Sequence, residues 1–367
     1  SRSPAGDAGV AKAGPPRAPA AKAAGKPAGG RATLRDVAEA SGVSPMTVSN
    51  LMNGRLGSMR PETRLRIEAQ IEKLGYRPHT MARSLRLAKR LSIGMVIVDD
   101  MPNYLADPFI THVVSGLGNH LNANGYALLL QGHSAAAFKS SPMVRDIRTD
   151  AICVMLSGSD ATRRGVVEML LGLGQPIVLF QETLKFPAVD LCSIRQDDRA
   201  GGRMLGQVAL DGGARRLAML VPALYWPAIG ERIKGIREAI RRQKSGAELR
   251  IVTCGDGEFR STQAALAQDL EAHGLPDAIL AGNDQMGISA MKLLAARGIR
   301  IPDQVILTGF NAFEFWQYTD PVLTTVRSPA YEIGARGGSE ILKRLAEGSF
   351  AQTDIVYPVT LQRGGST

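Results

Sequence analysis

The chain has 367 residues, 44% of them hydrophobic and 21% charged, enough for two or three domains each with its own core. No apolar run approaches the ~18 residues of a membrane helix, and the N-terminus has no apolar signal-peptide core, so a cytoplasmic protein without a membrane partner is expected. Three scattered cysteines, Cys153, Cys192 and Cys254, argue for buried thiols and against a disulfide framework or a zinc site. The net charge of +10 is uneven: residues 1–90 carry 17 Lys and Arg against 6 Asp and Glu, and the remainder 27 against 28. That places the basic excess where a polyanion would be met, or in a solubilising tail.

Residues 1–31 are Ala, Gly, Pro and Lys with almost no large apolar side chains, which predicts a disordered basic tail. It either touches phosphates weakly or is passive. From Thr33 the pattern turns helical. "TLRDVAEAS" has a Thr N-cap, Asp36 in its first turn, apolar residues at helical spacing, and Gly42 as its stop. Ser44 then caps a second helix with Pro45 at its first position, where a missing N–H costs nothing. Two short helices joined by a tight Gly-Val turn make a helix-turn-helix. Val43, Val48 and Leu51 face the first helix, leaving Met46, Thr47, Ser49 and Asn50 outward for a DNA groove. A third helix, "PETRLRIEAQIEKLG", has Ile67, Ile71 and Leu74 as its inner stripe and Gly75 as its stop.

After Leu91 apolar strands alternate with helices: "LSIGMVIVDD", "YALLLQGH", "DAICVML", "PIVLFQ", "RLAMLVP", "RIVTCG", "DAILAGN" and "VILTGF". A strand roughly every 25–30 residues with a helix between reads as parallel βαβ units covered on both faces. No catalytic constellation is visible. The five histidines show no metal spacing, and no G-x-S-x-G elbow, phosphate-binding loop or dinucleotide fingerprint occurs, so neither an enzyme nor a cofactor or metal is expected.

The segments "TLRDVAEASGVSPMTVSNLMNG", "PETRLRIEAQIEKLGYRPHTMARSL", "LSIGMVIV", "AILAGNDQMGISAMKLL", "ILTGFN" and "PVLTTVRSPAYEIGARG" follow one another as in the lactose-repressor (LacI/GalR) family, which the chain resembles over nearly everything after the tail. The resemblance implies a small all-α helix-turn-helix headpiece at 32–76 and a hinge helix and linker at 77–90. An α/β effector-binding and dimerisation domain at 91–367 follows, built of two periplasmic-binding-protein-like subdomains with parallel sheets. Chain crossovers are expected near 190, 325 and 355. It further implies a homodimer on pseudo-palindromic operator DNA, controlled by a sugar or sugar acid in the cleft between subdomains, with repression as the family default. A solute receptor without specific DNA recognition is the alternative.

On the DNA side the resemblance points to Thr33, Ser44, Pro45, Met46, Thr47, Ser49, Asn50, Asn53, Arg60, Thr63, Tyr76 and His79, with Ala82 and the wedge Leu85 in the hinge. Arg60 stands where the third helix usually has a Ser or Thr cap; it gives up an acceptor and gains a phosphate contact. On the effector side it points to Asp107, Phe109, Gln181, Arg232, Asn283 and Asn311. Asp284 reads better as a helix cap. Asn311 stands where sugar-binding members usually carry Asp, which removes a negative charge beside Arg232 and makes an anionic ligand conceivable. Gln181, Tyr225, Trp226 and Phe259 read equally as ring-stacking or as core side chains.

Overall fold

The computed structural model describes residues 32–52, 55–57, 59–77, 90–141, 149–187 and 190–367. The chain divides into two compact units, Ser1–Arg83 and Ser84–Thr367, each treated by itself below.

In the first unit, three helices form where the capping signals place them: α1 (Leu34–Ser41), α2 (Pro45–Met52) and α3 (Pro61–Leu74). Thr33 closes a capping box, its hydroxyl accepting from the Asp36 N–H at 3.3 Å while Asp36 accepts from the Thr33 N–H at 2.7 Å. The Thr33 N–H is also the main reason the Asp36 carboxyl lies below its ordinary range. Gly42, at φ 62°, ends α1 in the left-handed region that a side chain disfavours. Ser44 caps α2 by accepting the Thr47 N–H at 3.1 Å. Arg60 precedes α3 without a side-chain cap bond, and Pro61 removes one donor that a cap would have served.

Val37, Ala38, Val48, Ile67 and Tyr76 form the core of this unit, with Val43, Leu51, Ile71 and Leu74 packed around them. One expectation is corrected. Ser49 is only 7% exposed and faces inward, because it lies about 100° around the helix from the fully buried Val48, on the flank of the packed arc. The hinge helix expected at 77–90, with His79, Ala82 and Leu85, falls almost wholly outside the described residues, as does Asn53.

In the second unit, a six-stranded parallel sheet has the order β11-β5-β4-β3-β1-β2. Its strands are β1 (Ser92–Val98), β2 (Ala127–His133), β3 (Ala151–Leu156), β4 (Ile177–Phe180), β5 (Leu191–Gln196) and β11 (Asp354–Tyr357). A four-stranded parallel sheet, β7-β6-β8-β9, holds β6 (Arg216–Val221), β7 (Glu248–Thr253), β8 (Ala278–Ala281) and β9 (Ile306–Thr308). Two short strands, β10 (Thr325–Arg327) and β12 (Thr360–Gln362), pair antiparallel. Each large sheet is one subdomain, and the chain passes between them after β5, after β10 and after β11. The strands β1, β3 and β4 are buried along their whole length, as parallel strands covered on both faces must be.

The helices that position the cleft are α4 (Pro108–Ala123), α7 (Asp198–Asp211), α8 (Pro227–Gln243), α9 (Phe259–His273), α10 (Asp284–Ala296) and α11 (Ala330–Glu347); α5 (Ala135–Phe138) and α6 (Asp160–Leu171) cover the first sheet. In each subdomain one helix pair meets backbone to backbone through glycines. A Cβ on Gly116 or Gly334 would overlap the α4–α11 crossing, and one on Gly202 or Gly235 the α7–α8 crossing. All three cysteines are buried, and burial pushes the Cys254 thiol up to about 11, so none is poised to react.

Replacing Thr33 by Ala removes one cap bond and should cost about 1 kcal/mol. The expected readout is a roughly fivefold fall in amide-exchange protection across α1. Unchanged protection would mean that the box contributes nothing to the helix.

Candidate functional site

The glycine crossing of α7 and α8 decides the chemistry of the cleft floor. A Cβ on Gly202 would overlap the Arg232 carbonyl, and a Cβ on Gly235 would overlap the Arg199 carbonyl. With both absent, the first turn of α7 lies against the second turn of α8. Arg232 Nε then donates to Asp198 Oδ1 at 2.9 Å, the two side chains being 6% and 5% exposed. Arg232 Nη1 donates to the Gly282 carbonyl, and its guanidinium carbon sits 3.5 Å from the Phe310 ring centroid. Asp198 also accepts from Gln181 Nε2 at 3.0 Å and Gln196 Nε2 at 2.9 Å. Burial pushes its carboxyl upward, and the charge of Arg232 pulls against that.

The network reaches the chain crossings. Gln181 Oε1 accepts the Gln196 N–H at 2.8 Å, Ser328 Oγ donates to Gln196 Oε1 at 2.6 Å, and the Asp197 N–H reaches the Tyr357 carbonyl at 2.9 Å. Asn311 is held the same way: its N–H donates to the Val326 carbonyl at 2.8 Å and its carbonyl accepts from the Ser328 N–H at 3.0 Å. Its φ of 113° is a left-handed conformation that Asn tolerates better than most residues. The side-chain Oδ1 is buried and has no hydrogen-bond partner among the described residues. A buried acceptor left unpaired costs about 1–3 kcal/mol, and this one belongs to a side chain that lines the cleft.

All six residues named for the effector, Asp107, Phe109, Gln181, Arg232, Asn283 and Asn311, line one cleft. Asp107 caps α4, accepting the Phe109 N–H at 2.8 Å, and burial pushes its carboxyl up to about 6. Asn283 caps α10 by accepting the Met286 N–H at 2.9 Å. The capping role expected of Asp284 therefore belongs to Asn283, one residue earlier, where the backbone is still extended. Asp284 instead accepts the Thr325 hydroxyl at 2.6 Å, and burial pushes it up to about 7. Trp226 lines the cleft, whereas Phe259 lies farther out. Tyr225 is outside the lining and bridges the subdomains, its carbonyl accepting the Gly158 N–H at 2.8 Å and its ring lying beneath Arg163.

Asp198, Gln196 and Ser328 are the residues sequence reasoning missed. They also change its electrostatics: Asp198 supplies the negative charge beside Arg232 that Asn311 lacks, so Arg232 is already neutralised. The missed signal was the mixed strand "LCSIRQ", followed by two acids opening a helix that carries a Gly pair.

In the headpiece, Met46 is 66% exposed, Pro45 and Arg60 are exposed, and Thr47, Asn50 and Thr63 are half-buried. Thr33 and Ser44 are committed to caps, and Tyr76 lies in the core at 8% exposure. Among the described residues no cluster of His, Cys, Asp or Glu suits a metal ion, and no helix is long and apolar enough to cross a membrane.

A capped helix-turn-helix unit on the same chain as a two-sheet unit with a polar-floored cleft defines a DNA-binding regulator with a ligand site. The comparisons agree. Residues 33–79 match the family described as bacterial regulatory proteins, lacI family, and residues 208–367 match a periplasmic binding protein-like domain. Residues 33–79 are thus a lacI-family DNA-binding domain, carried on the same chain as a periplasmic-binding-protein-like domain. The chain is 25% identical over 329 residues to the ribose operon repressor of Bacillus subtilis (strain 168), covering 90% of this chain and 96% of that one. A solved complex of the transcriptional regulator CelR with cellobiose is 25% identical at a TM-score of 0.67, covering 92% of this chain and all of that one. The lac repressor dimer bound to operator and the anti-inducer ONPF shares the fold at a TM-score of 0.78 and 23% identity, over 92% of this chain and 99% of that one.

A pH dependence follows from the buried acids. Asp284 and Asp107 have folded-state values raised above the ordinary carboxyl value of 3.8, so their protonated forms favour the folded state. That contribution is full at low pH and is lost as pH rises through about 6 and about 7. Thermal unfolding should therefore occur at higher temperature at pH 5.5 than at pH 8, and Asp284→Asn should flatten the difference. An equal pH response in the variant would remove Asp284 from this role.

Proposed function

We propose that the protein is a homodimeric, cytoplasmic transcriptional repressor that binds a pseudo-palindromic operator and acts by binding rather than by catalysis. Its DNA affinity is set by a small neutral carbohydrate in the cleft. The observation that carries the reading is the coexistence on one chain of an outward-facing α2 surface and a cleft whose Asn311 acceptor awaits a donor. Sugar hydroxyls are such donors, and the relatives named for ribose and cellobiose support that class. The neutralised Arg232 and the acids Asp99 and Asp107 on the cleft wall favour a neutral sugar over a sugar acid.

On the DNA side, Met46 offers only apolar contact, as to a thymine methyl, whereas Asn50 can pair bidentately with adenine. Pro45, Thr47, Arg60 and Thr63 flank them, and the 77–90 segment, with Ala82 and Leu85, enters the minor groove and links the two sites. Coupling between cleft and operator is a free energy of about 1–3 kcal/mol.

Enrichment of genomic fragments on the purified protein, followed by sequencing, is the direct test. One two-half-site motif upstream of a carbohydrate operon is expected; uniform, salt-sensitive recovery would leave phosphate binding only and end the repressor reading. With the motif in hand, Asn50→Ala should relax one position per half-site at a cost of about 1–3 kcal/mol. Asn311→Ala should weaken the effector about tenfold or more, since a hydrogen bond made in a buried site is lost. Unaltered effector titration of operator release in this variant would sink the pocket assignment.

A further inference from the structure

The cleft does not end at its inner chamber. Asp99, Asp107, Ile110, Trp226 and Asn283 also form the wall of an outer chamber of about 830 Å³ that continues to the surface. Tyr104, Trp226, Phe259, Phe315 and Tyr318 line it. Those are five of the eighteen Phe, Tyr and Trp side chains in a chain that is only 5% aromatic, so the concentration is not a matter of composition. Phe259, Phe315 and Tyr318 are 50%, 58% and 76% exposed, which leaves their apolar faces to water around one space.

These rings are held in place. Phe315 and Tyr318 ride on the turn Glu314–Tyr318, which follows Phe313 stacked on His112 of α4 at 4.3 Å. The turn is closed by Thr319, whose hydroxyl donates to the Trp316 carbonyl at 2.8 Å and accepts the Leu323 N–H at 2.9 Å. Phe259 opens α9, behind a loop in which Asp256 accepts the Ser261 hydroxyl and the Glu258 N–H. Across the mouth, Asn103 of the first subdomain donates to Glu258 of the second. The ionisable groups of the outer wall are Asp99, Asp107, Asp256, Glu258, Asp320 and a single lysine, Lys292.

Aromatic side chains together with carboxylates and amides around one space match a pyranose, whose ring faces are apolar C–H surfaces and whose edge is a row of hydroxyl donors. An anionic ligand would meet five acids and one amine. A flat aromatic ligand would leave those acceptors without donors. We propose that the outer chamber is a second carbohydrate subsite, and that the effector is a neutral oligosaccharide of at least two rings. One ring sits over Arg232 and Asn311 and the next lies against Phe315, Tyr318 and Phe259. This rests on the carbohydrate reading of the inner cleft and names its ligand class.

The test is isothermal titration of the full-length protein with matched series: glucose, cellobiose and cellotriose; xylose, xylobiose and xylotriose; mannose and mannobiose. In the series that binds, the two-ring sugar should bind about tenfold or more tighter than its monosaccharide. The double variant F315A/Y318A, with Phe259→Ala as a second and separate variant, should collapse that ratio toward one. A monosaccharide that binds as tightly as its dimer, or a ratio that both variants leave unchanged, overturns the outer subsite while the inner cleft stands. Absence of binding by every member of every series overturns the carbohydrate reading itself, and this inference with it.

Discussion

The pair formed by Arg232 and Asp198 is the constraint on which the ligand-binding unit depends. Both charges are buried, and a buried charge is tolerated only when paired and hydrogen-bonded. Here that is achieved by the closest kind of helix contact, α7 against α8 with glycine at Gly202 and Gly235, which no side chain could enter. The guanidinium is then finished by the Gly282 carbonyl below β8 and the ring of Phe310, itself seated where Gly201 has no Cβ. Sheet, helix pair and aromatic floor therefore converge on one cation.

The same pair joins the cleft to the places where the chain changes subdomain. Asp198 is shared by Gln181 and Gln196, Gln196 by Ser328, and Ser328 by the backbone of Asn311. A ligand that hydrogen-bonds Arg232 or Asn311 thus touches groups that hold β5, β10 and β11 together at the crossings. The hydrogen bonds that run from the cleft floor to the crossings are short and buried.

Electrostatics then shape what enters. With Arg232 neutralised by Asp198, the charges left facing the space belong mainly to acids, two of which, Asp99 and Asp107, are pushed upward by burial. The outer aromatic residues add faces that a single small ring would not use.

Much of this was legible in the sequence because it is written in local chemistry. Thr33, Gly42, Ser44-Pro45 and Gly75 set helix ends through backbone hydrogen bonds and φ preferences that need no partner elsewhere in the chain. Uninterrupted apolar strands such as β1 and β3 announced parallel sheets covered on both faces. Tertiary structure alone decided the rest. Ser49 turned inward because packing of α2 on its neighbours, not polarity, sets the buried arc of a short helix. β5 was hidden because it ends in two polar residues, Arg195 paired with Asp354 of β11 and Gln196 with Asp198 and Ser328, and not in core side chains. Asp198 and Arg232 lie 34 positions apart, and only the glycine crossing brings them within 2.9 Å. Sequence determined the elements and the chemistry they carry; the close approach of elements distant in the chain decided which charges meet, and therefore what the cleft can hold.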